Sequence, residues 1–273
     1  MANTGPFGSC CKRAPPMIDS YSHMKVTTEK DTQNKSPLVE AMFKVGAHYG
    51  FIKSRRHPTV KPFIFGVKNR VEIFDLEKTS AQLEAAIEFV KKVAASGKQV
   101  VFIGSKSEAR QAVKEAADRI AQPYVAGRWI GGTFTNFEVI RKRVEKLLDL
   151  TAKKEKNELT KYTKKERLMI DREIEKLNDL FGGITSMNHL PGAIFIVDPK
   201  KEHIAVAEAV HRNIPIVALS GADCDVSNIT YPVVANDASI DSVAFIADKI
   251  SAAYAEGKKM AVAEKAASKT EVK

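Results

Sequence analysis

The chain has 273 residues, a formal net charge of +10, 44% hydrophobic residues, three cysteines and a single tryptophan. That length supports one large core, or a core with an appendage. No apolar run approaches the ~20 residues of a membrane-spanning helix. Cys10 and Cys11 are adjacent and Cys224 is remote, which excludes a disulfide framework and points to a reducing compartment; no Cys/His spacing matches a zinc site.

The charge is unevenly distributed. Between Ala41 and Val71 no acidic residue occurs, while Lys44, Lys53, Arg55, Arg56, Lys61, Lys68 and Arg70 accumulate beside His48 and His57. Solvated surfaces ordinarily mix signs, so this one-sided segment reads as a patch facing phosphates.

Residues 1–35 lack apolar periodicity and read as a disordered extension, with Met24 as an alternative start. Ser36 followed by Pro37 marks a helix start, and Gly46 ends that helix. Two short apolar runs, Phe63 to Phe65 and Val71 to Phe74, flank Gly66 to Arg70 and predict a hairpin-like pair of strands. His48 as metal ligand or general base lacks both a nearby carboxylate and a second histidine at ligand spacing.

Thr79 and Gln82 form a capping box for a helix reaching Ala95, and Gln99 to Ile103 is a buried strand. Gly104-Ser105-Lys106 then opens a second helix, with Ser105 and Glu108 as another capping box. A strand–GSK–helix arrangement invites a nucleotide reading, because helix starts bind phosphate. It has neither the longer P-loop nor the G-x-G-x-x-G turn. Lys106 and Arg110 stand instead as candidate RNA contacts.

The stretch YVAGRWIGGTFTNF, Tyr124 to Phe137, contains the one tryptophan beside a glycine pair. Two readings compete. It is a strand-to-helix connection with Trp129 in the core and Thr135 or Asn136 as N-cap. Alternatively, it is a tight turn that presents Arg128, Trp129, Thr133, Thr135 and Asn136 to a partner. Beyond it, Phe137, Ile140, Val144, Leu147 and Thr151 step by three and four residues. A Thr163/Glu166 capping box then leads into Ile170, Ile174, Leu177 and Phe181. Two such stripes on charged helices describe an antiparallel hairpin. Ala193 to Val197, Ile214 to Leu219 and Tyr231 to Val234 read as strands, and Glu202 to Arg212 and Ser239 to Ala255 as helices, with a frayed basic tail from Gly257. Alternating strands and helices imply a mainly parallel sheet covered on both faces.

GAHYGF, KPFIFGVKN, IFDLEKT, RWIGGTFTNF, YTKKE, REIEKL, FGGI and the IVDP…AVAEA…IPIVAL series occur in this order between about Leu38 and Ile250. Together they resemble the bacterial form of the small-subunit ribosomal protein family S-two. The resemblance implies a flavodoxin- or Rossmann-like α/β body at 36–136 and 182–256, with a protruding coiled-coil hairpin inserted at 137–181. It implies no catalysis, no cofactor, no metal, no membrane and no small-molecule substrate. It further implies a cytoplasmic place on the ribosome, at the head–body junction of the small subunit, with partners in small-subunit rRNA and neighbouring proteins, including protein S-one. His48, Tyr49, Lys53, Arg55 and Arg56 fall in the family's basic RNA-facing segment. Arg128, Trp129, Thr133, Thr135 and Asn136 fall in its most characteristic motif. Lys61, Lys68, Arg70 and Lys106 complete the candidate RNA-binding set. The chain departs from the family pattern after Leu219, where Gly221 replaces a carboxylate, Val226 a proline and Thr230 another acid, which bears on any metal or S-one role of that loop. Against this reading stand an enzyme built on the nucleotide-friendly body and a coiled-coil adaptor unrelated to RNA.

Overall fold

A computed structural model describes residues 37–156 and 161–270, with side chains as far as Ala261. The expected N-terminal extension and the Ser36 cap lie outside the described residues. Among the described residues eight strands form two sheets. The smaller is antiparallel and combines β1 (Tyr49–Ile52), β2 (Ile64–Lys68) and β3 (Val71–Phe74) in the order β1-β3-β2. The larger comprises β4 (Val100–Ile103), β5 (Tyr124–Val125), β6 (Ala193–Val197), β7 (Ile216–Ser220) and β8 (Tyr231–Val234), all parallel, in the order β5-β4-β6-β7-β8. That is the flavodoxin-like doubly wound order, with the switch point between β4 and β6.

Alternate side chains of the parallel strands feed two cores. Phe102, Phe195, Val197 and Leu219 face α2 (Leu76–Ala95), α3 (Ser107–Arg119) and α7 (Ile240–Thr270), together with the short α1 (Pro37–Lys44). Ile103, Ile194, Ile196 and Ala218 face α6 (His203–His211), Trp129 and Phe134. The same core takes in Ile140 and Val144 from the start of α4 (Phe137–Glu155) and Phe181 from the end of α5 (Lys164–Phe181). A strand buried on both faces has no polar side to show, hence the unbroken apolar runs AIFIV and VVFI. The two sheets meet through Val60, Phe74, Ala222 and Val234.

Several boundaries differ from the sequence reading. β1 joins the predicted hairpin as a third strand, with the Phe74 N–H of β3 donating to the carbonyl of His48, just before β1, at 2.8 Å. α2 begins three residues before Thr79, because Asp75 caps it by accepting from Glu77 N. The Thr79 hydroxyl instead donates to the Val234 carbonyl at 2.7 Å, tying helix to sheet. α7 continues past Gly257 to Thr270, through a segment rich in the strong helix formers Ala and Lys. The Thr163/Glu166 capping box forms as read. Lys146 with Glu173, and Lys154 with Asp171 at 2.7 Å, pair α4 with α5 across their charged faces.

Gly183 shows how closely the insertion's return is seated. A methyl group there would run into the main-chain carbonyl of Tyr124 in β5. Gly183→Ala is therefore expected to lower stability by about 3 kcal/mol, read as a shift in the urea midpoint with an unchanged m-value.

Candidate nucleic-acid interface

Strand register fixes which residues of the small sheet look outward. Tyr49 opposes Ile73 and Ile52 opposes Val71 across β1–β3, while Lys68 opposes Val71 across β2–β3. Directly opposed residues share a face. Glu72 and Phe74 are buried on the inner side, whereas Tyr49 and Ile52 remain half exposed. Asn69 and Arg70 both adopt positive φ, 52° and 66°, making the two-residue turn that right-handed strand twist favours; this puts Arg70 at a hairpin tip. Lys53 and Arg55 occupy a one-turn helix after β1, and Lys61 lies in a second such turn before β2. Lys53, Arg55, Lys61, Lys68 and Arg70 are all exposed, and none has an acidic partner among the described residues.

Three rings organise this patch. His48 stacks on Phe43 with centroids 4.4 Å apart and planes 9° from parallel, and lies 4.0 Å from Tyr49. Phe43 and Tyr49 are exposed while His48 is covered, so its Nδ1 has no hydrogen-bond partner. Burial lowers the pKa of His48 below the ordinary histidine value of 6.5, keeping the ring neutral. Phe43 is not among the sequence-derived candidates, because no periodicity distinguishes an exposed phenylalanine in so short a helix.

The remaining candidates are differently placed. Arg56 donates to the buried Glu72 at 3.0 Å, so its charge is balanced within the sheet. Lys106 Nζ sits 2.8 Å from Asp237 and 3.6 Å from Asp198. Burial alone would lower the Lys106 pKa, but pairing with Asp237 and Asp198 outweighs it and the pKa is raised. Burial also raises Asp237, against the pull of Lys106. Cys224 is neighbouring and buried; desolvation first, then the Asp198 charge, push its thiol pKa up, so it is no nucleophile.

Trp129 lies in the core at 5% exposure, tilted against Phe134. Thr133 is buried too, its hydroxyl donating to the Ile130 carbonyl at 2.6 Å. Asn136 is exposed at the start of α4, where its side chain makes no capping bond, and Arg128 is exposed. The loop is held by one carboxylate that the sequence does not advertise. Glu208, buried in α6, accepts from the main-chain N–H of Gly132 at 2.7 Å, Phe134 at 2.9 Å and Thr135 at 3.3 Å, and from Trp129 Nε1 at 3.4 Å. One turn later Arg212 donates to the carbonyls of Phe134 and Thr135. The glycine pair therefore serves a carboxylate within the chain, with Gly132 at a φ of +94° open to few other residues.

The switch point is also occupied from within. Ser105, read from sequence as a cap for α3, gives both its N–H and its hydroxyl to the buried Glu202, while Lys106 takes the N-cap position without a side-chain bond. A carboxylate thus stands where a nucleotide-binding fold of this order seats phosphate. No cluster of metal-ligating side chains and no helix suited to crossing a membrane occurs among the described residues.

Such geometry defines a Rossmann-like α/β protein whose phosphate seat is filled by its own side chains. A family model described as ribosomal protein S2 matches residues 42–257. The small ribosomal subunit protein uS2 of Roseiflexus sp. (strain RS-1) is 44% identical over 228 residues, covering 83% of this chain and 87% of that protein. Its counterpart in Coprothermobacter proteolyticus is 40% identical over 220 residues, covering 81% and 82%. The chain belongs to the ribosomal protein S2 family; its role is structural, in translation on the small subunit, and it is not an enzyme.

Two outcomes are expected of this geometry. Glu208→Ala strands the buried Phe134 amide and Trp129 indole N–H, with two partly buried amides beside them, and should cost about 3 kcal/mol, with a red shift of the single tryptophan's emission as the loop loosens. His48 has a depressed folded-state pKa, so its contribution to stability is complete above pH 6.5 and is lost as pH falls through the lower folded value. Unfolding midpoints compared at neutral and acidic pH should therefore separate less in His48→Phe than in the parent.

Proposed function

We propose that this protein binds small-subunit rRNA through the outer face of the β1-β3-β2 sheet and its flanking turns, at the junction of head and body. The observation that carries the reading is the combination, on and around one small sheet, of five exposed cations without acidic partners among the described residues and the exposed rings of Phe43 and Tyr49. Cations alone suit any polyanion. Exposed rings held rigid by a neutral third ring add a stacking surface for unpaired bases, which is how sequence-tolerant RNA contacts are made. Arg128 and Asn136, exposed at the far loop, extend the reading to a second, smaller contact. Phosphate neutralisation gives affinity its steep salt dependence: about 6 to 10 contacts correspond to a loss of roughly 10³ to 10⁵ between about 50 and 200 mM salt.

The insertion of α4 and α5 is read as a coiled-coil hairpin that reaches other components of the subunit. Its inter-helix ion pairs and the half-buried Ile170, Ile174 and Leu177 support that. Support for protein S-one is read from the family resemblance. The loop after β7 bears on it: a side chain at Gly221 would come within 2.5 Å of Asp237, and Asp223 is committed to Lys200 at 2.8 Å. Asp223 of that loop is thereby paired within the chain, while Asp225 remains half exposed.

Converting Lys53, Arg55 and Lys68 together to Gln is expected to reduce the slope of log affinity against log salt by about 3, measured by co-sedimentation with small subunits. Deleting Glu138 to Leu180 should leave that slope intact. An unchanged slope in the triple variant would remove the RNA-facing role of this sheet.

A further inference from the structure

Beside the filled phosphate seat lies a crevice of about 310 Å³, between the start of α3, the Arg128–Trp129 segment and the start of α6. Its volume is at the lower end of small-ligand pockets. Glu202, 3% exposed, forms part of its lining. Oε1 of that carboxylate is used by the Ser105 N–H at 3.1 Å and by the Ser105 hydroxyl; Oε2 has no hydrogen-bond partner among the described residues. Trp129 and Ile204 supply apolar wall, while Arg128 and Lys201, both exposed, have no ion-pair partner among the described residues. The crevice therefore has an acceptor inside, an apolar side and three cations toward solvent, of which Arg110 also donates to the Ser105 carbonyl at 3.1 Å.

We infer that this crevice receives one unstacked, amino-bearing nucleobase with its phosphate outside. Phosphate cannot lie at the start of α3, where it would meet the Glu202 carboxylate, so the usual orientation at a switch point is reversed. With the base inward, Glu202 Oε2 accepts a hydrogen bond from an exocyclic amine, as carboxylates do from cytosine N4. Ile204 and the edge of Trp129 lie along the base, and Arg128 and Lys201 meet the phosphate. Adenine, cytosine and guanine carry the amine, and uracil does not. Outward-facing phosphate also suits a nucleotide that is still part of a strand. The inference takes its RNA source from the function proposed above, but it concerns a surface apart from the β1-β3-β2 sheet.

The single tryptophan lines the crevice, so its fluorescence reports occupancy directly. The full chain would be titrated with the oligoribonucleotides A4 and U4 and with AMP and UMP. A saturable change with A4, at least tenfold weaker with U4, is expected. AMP matching A4 would assign the site to free nucleotides, and A4 binding tighter than AMP to a strand; either supports the crevice. Glu202→Gln keeps an oxygen for Ser105 but presents an amide N–H₂, so the preference should turn toward uracil, whose carbonyls accept. Arg128→Ala should weaken A4 about tenfold and keep the preference. A flat signal with A4 and AMP, equal response to A4 and U4, or an unchanged preference in Glu202→Gln would each overturn the inference. A flat signal alongside intact, salt-sensitive subunit binding would reject the crevice alone. Loss of that binding as well would reject the RNA reading itself.

Discussion

A single buried carboxylate holds the most distinctive stretch of this chain in place. Glu208 gathers three main-chain amides and an indole N–H from the segment before α4. Unpaired amides at that depth would each carry a desolvation penalty of about 1 to 3 kcal/mol, so the loop has few other ways to be buried. Arg212, one helical turn on, accounts for the carbonyls of the same loop. The direction in which α4 leaves the sheet follows from these contacts and from the packing of Ile140, Val144 and Phe181 beneath. An insertion rooted this way inherits the rigidity of the sheet.

The same device recurs at the switch point. Glu202 takes the Ser105 amide, and Lys106 bridges Asp198 and Asp237 across the ends of β6 and β8. In an open α/β sheet these strand ends ordinarily form the ligand crevice. Here most of the polar groups that would bind a cofactor phosphate are satisfied by one another. The strand order is one that nucleotide-binding folds use, but here the groups at its switch point brace one another. The basic surface lies on the antiparallel sheet, which the doubly wound fold does not require.

Much of the fold was legible in the sequence because its strands are short apolar runs separated by amphipathic helices, and the family words span most of the chain. The Thr163 capping box was readable because both partners are local. What escaped depends on distant partners. Ser105 looks like a cap until Glu202, 97 residues away, claims it. Thr79 likewise looks like a cap, yet its hydroxyl reaches Val234, 155 residues away, as well as the Asp75 carbonyl one turn back. Trp129 reads as core or as contact until Phe134 and Glu208 close over it. Among the candidate contacts, charge by itself did not separate Lys53 or Lys68, which face solvent, from Arg56 and Lys106, which neutralise buried acids. The difference lies in carboxylates brought near by the fold, and a one-sided local composition conceals them.

The rims of the parallel sheet carry a consequence for the life of the free chain. One border, β5, is two residues long, and the other, β8, has Pro232 within it. A brief border offers few backbone groups to a stranger, and proline withholds a donor from any strand that tries to add there. Two copies of the chain therefore have little means of zipping together along the edges of this sheet. The parallel sheet thus carries, in the length of one rim and the proline of the other, its own guard against a further strand.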